Sequence, residues 1–218
     1  MNLSRIRIVV PAVLVLALAV TAFAGGWAVI TAENLPEYLV AGKPSTITFL
    51  IRQHGYTLAD GMNPNMTATD RLGQTARAVV TPTGKVGQYK AILTVPQPGD
   101  WTIKIDGALG EAIWQPIKGI RPEDPVPAPH SQIARGEQLY VAKGCFTCHV
   151  NSEVTARTLL PAGPDLTGKK FSQGDYLKKF LADPAKTKGK AERETMPNLN
   201  LSVDEIDAIA AFINRART

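Results

Sequence analysis

Along the first half of the chain, hydrophobic and polar residues alternate with a period of two. Trp101-Thr102-Ile103-Lys104-Ile105-Asp106 places Trp101, Ile103 and Ile105 on one face and Thr102, Lys104 and Asp106 on the other, the pattern of a strand with one side buried. Thr46 to Arg52 nearly repeats it, with Ile47, Phe49 and Ile51 inward. Tyr89 to Val95 predicts a third strand, and Ala76 to Thr81 and Trp27 to Thr31 two more. Turn formers separate these runs at Ala41-Gly42-Lys43-Pro44, Pro82-Thr83-Gly84 and Pro96-Gln97-Pro98-Gly99-Asp100. Short strands at this spacing predict a small antiparallel β-sandwich of immunoglobulin type over residues 27–120.

Beyond it the period changes. Residues 121–130 hold four prolines in ten positions, which disfavours helix and central strand and predicts an extended spacer. Such a linker is expected to hold residues 131–218 away from the sandwich and let them swing. In that last part, Ile133 to Lys143 reads as a helix with Ile133, Leu139 and Tyr140 apolar, ended by Gly144. Val203 to Arg217 predicts a second, amphipathic helix. Ser202 is its cap, Asp204 and Glu205 lie in its first turn, and Ile206, Ile209, Ala210, Phe212 and Ile213 form its apolar face. Asp175 to Leu181 predicts a short helix stopped before Pro184. The fold class is therefore two-domain, an N-terminal sandwich followed by an all-α domain.

Between the helices stands Cys145-Phe146-Thr147-Cys148-His149. Two cysteines three apart with histidine directly after form the attachment signal of a c-type haem. Each thiol adds across one vinyl group of the porphyrin, and the histidine then falls under the iron as proximal ligand. A thioredoxin-like redox pair would want a βαβ context, and a zinc site a second pair of ligands. Only His54 and His130 remain, with no further cysteine. One covalent haem c is the expected cofactor.

Composition adds a little. The chain has 218 residues, 44% hydrophobic and 20% charged, and a net charge of +5. That is ordinary for globular protein and long enough for two small cores. Basic residues are scattered until the last third and are not interleaved with aromatics, so nucleic acid is not an expected partner. Lys186, Lys188, Lys190 and Arg193 do crowd one stretch. At the N-terminus, Arg5 and Arg7 precede an apolar run from Ile8 to Ala24, followed by Gly25-Gly26. Residues 1–26 thus predict a secretory signal peptide, with an uncleaved membrane anchor as the competing reading. Either places the rest outside the cytoplasm.

In the sandwich, His54, Met62 and Met66 occupy a stretch that reads as loop. Imidazole and thioether are soft ligands that suit copper(I). The competing and preferred reading makes the methionines gap-filling core and His54 a polar loop residue.

The last domain resembles the class I cytochromes c throughout its length. The resemblance rests on the haem motif, on Gly136 with the aromatics Tyr140 and Phe212 where two helices would cross, and on Gly163-Pro164-Asp165-Leu166-Thr167-Gly168. It implies that the Pro164 carbonyl accepts a hydrogen bond from His149, and that Met196, in Thr195-Met196-Pro197, is the distal iron ligand. It also implies maturation outside the cytoplasmic membrane. Leu35-Pro36-Glu37-Tyr38, Val40 to Pro44, Gln53-His54-Gly55 and Gly87-Gln88-Tyr89 resemble the YtkA-like and FixH-like immunoglobulin-type modules, which implies an exported sandwich near respiratory oxidases or copper handling. No general acid, nucleophile or open-metal constellation stands elsewhere. The expectation is an exported monohaem electron carrier, or subunit of a respiratory complex, with redox proteins as partners and no enzyme activity of its own. The rival readings are a copper-delivery module for an oxidase with a fused redox haem, and a haem sensor whose Met196 dissociates to admit a small ligand.

Overall fold

The structure is a computed structural model that describes residues 26–107, 109–155, 160, 162–172, 175–191 and 195–215. The predicted signal or anchor lies outside the described residues, apart from Gly26. Among the described residues no helix is long and apolar enough to cross a membrane.

The N-terminal part is a sandwich of two sheets. The strands are β1 (Ala28–Ala32), β2 (Tyr38–Val40), β3 (Ser45–Gln53), β4 (Thr57–Leu58), β5 (Asn65–Thr69), β6 (Thr75–Arg77), β7 (Val79–Pro82), β8 (Gln88–Leu93), β9 (Gly99–Asp106) and β10 (Ala112–Ile120). One sheet runs β1–β3–β8–β7 with β4 also paired to β3, and the other runs β2–β10–β9–β5–β6. Pairing is antiparallel except where β2 meets β10 in parallel. The inward residues read from alternation are where they should be: Ile47, Phe49, Ile51, Trp101, Ile103 and Ile105 are fully buried between the sheets.

Two expectations need correction. The run Ala76 to Thr81 is not one strand: β6 pairs with β5 in one sheet and β7 with β8 in the other. The chain changes sheet at Ala78, whose N–H donates to the Met66 carbonyl at 2.9 Å. The stretch read as loop up to Met66 contains the start of β5, in which only Met66 and Ala68 are buried, too few inward residues for the period to show. β10 also escaped the alternation, because Pro116 interrupts it and the register slips between Trp114 and Ile117.

The C-terminal part contains α1 (Gln132–Ala142), a 3₁₀ turn at Cys145–Thr147, α2 (Tyr176–Ala182), α3 (Pro184–Lys188) and α4 (Val203–Ile213). An isolated bridge pairs Asn151 with Thr155. α1 crosses α4 at Gly136, where an added Cβ would lie 1.9 Å from the Ala208 carbonyl oxygen. Only glycine allows backbones this close. Beside the crossing, Tyr140 and Phe212 meet at 5.5 Å between ring centroids, tilted by 48°. α4 begins in a full capping box: the Ser202 hydroxyl accepts from the Glu205 N–H, and Glu205 Oε2 accepts from the Ser202 N–H at 3.0 Å. The helix stops at Ile213, short of the predicted Arg217, with Asn214 as its cap.

The linker does not keep the two parts separate. β1 is buried along all five residues, one face toward the sandwich core and the other toward the helices. Gly144 lies on it so closely that a Cβ would come within 2.6 Å of Val29 Cγ1. The Thr31 hydroxyl accepts from the Arg52 guanidinium at 3.0 Å and donates to the Lys143 carbonyl at 3.3 Å. Arg135 donates to the Leu35 carbonyl at 2.5 Å, and Gln115 to the Glu137 carboxylate at 2.9 Å. Lys143 is 2% exposed, and its ammonium reaches Glu205 Oε1 at 2.6 Å and the Glu33 carbonyl at 3.4 Å. Stiffness of the proline run says nothing about what flanks it. The second buried face of β1 and a lysine with nowhere to go but inward dock the helices on the sandwich.

Candidate haem site

The site begins where α1 ends. Gly144 has φ 78°, a left-handed turn that takes the chain off the helix. The Ile30 carbonyl, which would stand 3.1 Å from a Cβ at Gly144, closes the space from the sandwich side. The chain then tightens into the 3₁₀ turn, in which Cys148 and His149 both donate N–H to the Cys145 carbonyl, at 3.2 and 3.0 Å. Residues three apart eclipse in a 3₁₀ turn, so Cys145 and Cys148 share a side.

A second segment returns beside the motif and fixes it. Leu160 N–H donates to the Thr147 carbonyl at 3.1 Å, Gly163 N–H to Cys148 at 3.0 Å, and Leu166 N–H to Val150 at 2.8 Å. The Tyr140 hydroxyl donates to the His149 carbonyl at 2.9 Å, and burial raises its phenol well above its ordinary range. The Pro164 carbonyl lies 2.9 Å from His149 Nδ1. A carbonyl can only accept, so Nδ1 carries the proton and Nε2 keeps its lone pair. Burial pushes the His149 imidazole below its ordinary pKa, opposed by that carbonyl, which favours the neutral ring a metal ligand must be. Gly163 makes room for the ring: a Cβ there would meet His149 Cε1 at 2.1 Å and Nδ1 at 2.4 Å.

The thiols point the same way. Burial, and then the neighbouring Cys148, push Cys145 up to about 12, and burial raises Cys148. Exchange-active cysteines have lowered values and exposed thiolates, so this pair is poorly built for disulfide chemistry. A thioether carries no charge, so burial costs it no ionisation penalty. The residues present therefore fit a covalently attached haem.

Met196 is half-buried against the core. It lies in an irregular stretch between α3 and α4 in which Asn200 takes φ 52°. Tyr56, at the tip of the β3–β4 hairpin, donates its hydroxyl to the Thr195 carbonyl, one residue before Met196. Nothing in the linear pattern singled out Tyr56, because its neighbour in space lies 139 positions away. The role of Gly163 was legible only as part of a motif, without the ring it accommodates.

The other candidates lie apart. His54 is exposed at φ 53°, its ring edge-on to Trp27 at 5.9 Å. Met66 is fully buried opposite Ile105, and Met62 is half-buried with its N–H donating to the Tyr89 hydroxyl at 3.0 Å. His54 thus stands at the surface and Met66 in the interior. Among the described residues no group of three or more His, Cys, Asp and Glu side chains could hold a metal ion. Lys186 and Lys190 are exposed, while the Lys188 ammonium sits 5.7 and 5.8 Å from the Tyr176 and Phe180 ring centres. Arg193 lies outside the described residues.

Residues 133–217 match the family model described as Cytochrome c. The C-terminal region is a cytochrome c domain. That makes it a haem-binding, electron-transferring module, and the crossing at Gly136, the Pro164 carbonyl and the haem motif all fall inside the matched span. No curated protein matches the chain. Solved structures similar to part of it include the Lin-41 filamin domain, at 13% identity and TM-score 0.32, covering 44% of this chain and 93% of that one. Domains 4 and 5 of the S-layer protein SbsC share 16% identity at TM-score 0.32, covering 44% and 54%. The ZirS C-terminal domain shares 18% at TM-score 0.32, covering 42% and 65%.

A methyl group at position 163 would force the His149 ring away from the Pro164 carbonyl. Gly163→Ala is accordingly expected to yield haem-loaded protein whose ferric spectrum shifts from low-spin toward high-spin. An unchanged spectrum would show that the ring does not depend on this space.

Proposed function

We propose that this chain is an exported monohaem c-type cytochrome that passes single electrons between protein partners, as a carrier or as a subunit of a respiratory complex. Cys145 and Cys148 carry the haem through thioether bonds, His149 Nε2 is the proximal iron ligand, and the Met196 thioether is the distal one. When bound, the haem supplies a one-electron Fe(III)/Fe(II) couple. The observation that carries the reading is the His149 Nδ1–H to Pro164 carbonyl bond at 2.9 Å, which fixes the ring's tautomer and leaves the lone pair of Nε2 for a metal.

Each residue then has a task. Pro164 orients the imidazole and strengthens it as a donor. Gly163 and the backbone bonds of the returning segment hold the His149 ring in place, and would do so whichever charge a bound iron carried. Little rearrangement of ligands means a small reorganisation cost. Met196, a soft thioether, favours ferrous iron and raises the potential relative to bis-histidine ligation. If His149 and Met196 both hold the iron, the protein would leave no position for a substrate, which supports a carrier over an enzyme. Lys186 and Lys190 form a basic rim that would steer the domain onto an acidic redox partner. The sandwich serves as a docking module, in keeping with its resemblance to exported YtkA-like and FixH-like modules.

Two measurements test this. The oxidised, haem-loaded protein is expected to show the near-infrared methionine-to-iron charge-transfer band, and Met196→Ala to lose it; a high-spin wild type without the band would transfer the lead to a ligand sensor. Electron transfer to an acidic partner protein is expected to slow severalfold as ionic strength rises from about 10 mM to 150 mM, because the Debye length shrinks from about 30 to 8 Å. Rates indifferent to salt would remove the steering role.

A further inference from the structure

Residues 195–199, which carry Met196, belong to no helix or strand. Among the described residues no backbone-to-backbone hydrogen bond holds this stretch, and Pro197 has no N–H to give. A ligand on such a segment depends on side-chain packing and on contacts from outside the segment to stay in place. Within the loop the Asn200 N–H donates to Asn198 Oδ1 at 2.9 Å, and from the other domain the Tyr56 hydroxyl donates to the carbonyl of Thr195.

Tyr56 is itself held firmly. His54 N–H donates to the Trp27 carbonyl at 2.9 Å, Gly55 N–H to Arg52 at 3.2 Å, and Tyr56 N–H to Gln53 at 3.2 Å. Gly55 takes φ 80° and packs on Trp27, whose ring would stand 3.3 Å from a Cβ there. Beyond the tip, β4 returns to β3 through the pairs Gln53 with Thr57 and Arg52 with Leu58. Arg52 in turn reaches Thr31, and Thr31 the Lys143 carbonyl at the root of the haem motif. The donor is thus mounted on the same sheet whose β1 packs against the haem motif.

We propose that Tyr56 is a positioning residue for Met196: the sandwich clamps the ligand loop at the Thr195 carbonyl and so sets how readily the thioether gives way on the iron. The proposal rests on the reading of Met196 as distal ligand. The clamp acts by lowering the freedom of the segment, since a loop tied one residue from the ligand re-forms the iron bond from a smaller set of positions. It gives the sandwich a part in the redox centre beyond docking, and a partner that pulled on the β3–β4 hairpin would be felt at the iron.

The test uses the full-length, haem-loaded ferric protein titrated with imidazole, which competes with the thioether, and reads loss of the methionine-to-iron band. Tyr56→Phe removes only the hydroxyl. It is expected to keep the band without imidazole and to bind imidazole about fivefold more tightly than wild type, the worth of roughly one net hydrogen bond. Gln115→Leu, which breaks a different contact between the domains, is expected to leave the affinity unchanged. An unaltered affinity in Tyr56→Phe, or an equal shift in Gln115→Leu, overturns the clamp. Absence of the band from the wild type overturns the ligand reading and the clamp together, a result distinct from the other two.

Discussion

A lysine ammonium taken out of water needs a carboxylate, and Lys143 has Glu205 at 2.6 Å. Glu205 is also the residue that closes the capping box of α4, with its other oxygen on the Ser202 N–H. One carboxylate therefore starts the C-terminal helix and holds Lys143, the residue that caps the C-terminus of α1 just ahead of Gly144 and the haem motif. Through the Lys143 ammonium the same pair reaches the Glu33 carbonyl of the sandwich. Removing one partner of such a buried pair costs on the order of 3–5 kcal/mol, because the other is left charged and alone. The pair is also directional. It sets where α1 ends relative to both α4 and β1, which apolar contact alone would leave free to slide.

The haem site inherits that placement. Gly144 can turn the chain into the 3₁₀ segment only where Val29 and Ile30 leave space for it, so β1 is a floor for the cysteines. The β3–β4 hairpin of the same sheet also reaches the Met196 loop through Tyr56. One sheet thus touches both the haem motif and that loop. Within the helical domain, the Gly136 crossing and the Tyr140–Phe212 contact hold α1 on α4, and Tyr140 returns to the His149 carbonyl. The cytochrome c domain holds the haem motif and Met196 within its own chain segment, while the sandwich supplies part of the frame around them.

Much of this was legible in the chain before the structure. Alternation is a strong signal where one face is buried and the other wet, so β3, β8 and β9 were read close to their true bounds. It failed where the physics differed. β10 is broken by Pro116 and escaped the pattern, whereas β1, buried on both faces, was still read within one residue of its bounds. Ala76 to Thr81 hid a change of sheet inside one apolar run. At the candidate haem site, motif spacing pointed to Cys145, Cys148 and His149, and the hydrogen bond that the resemblance implied between His149 and the Pro164 carbonyl is present. Lys143, Glu33 and Tyr56 were silent, because an ion pair or hydrogen bond between residues a hundred positions apart leaves no periodic trace. The swinging linker was an inference from local stiffness, overruled by contacts between surfaces that the local pattern does not encode.

The central claim is that sandwich and cytochrome domain form one cooperative unit around the haem. Thermal unfolding of the haem-loaded protein tests it directly, followed at once by near-ultraviolet circular dichroism of the sandwich tryptophans Trp101 and Trp114 and by the haem Soret band. The account predicts coincident transitions with a single midpoint. Two separated transitions, with the Soret signal intact after the tryptophan signal is lost, would contradict it and return the sandwich to the role of an independent neighbour.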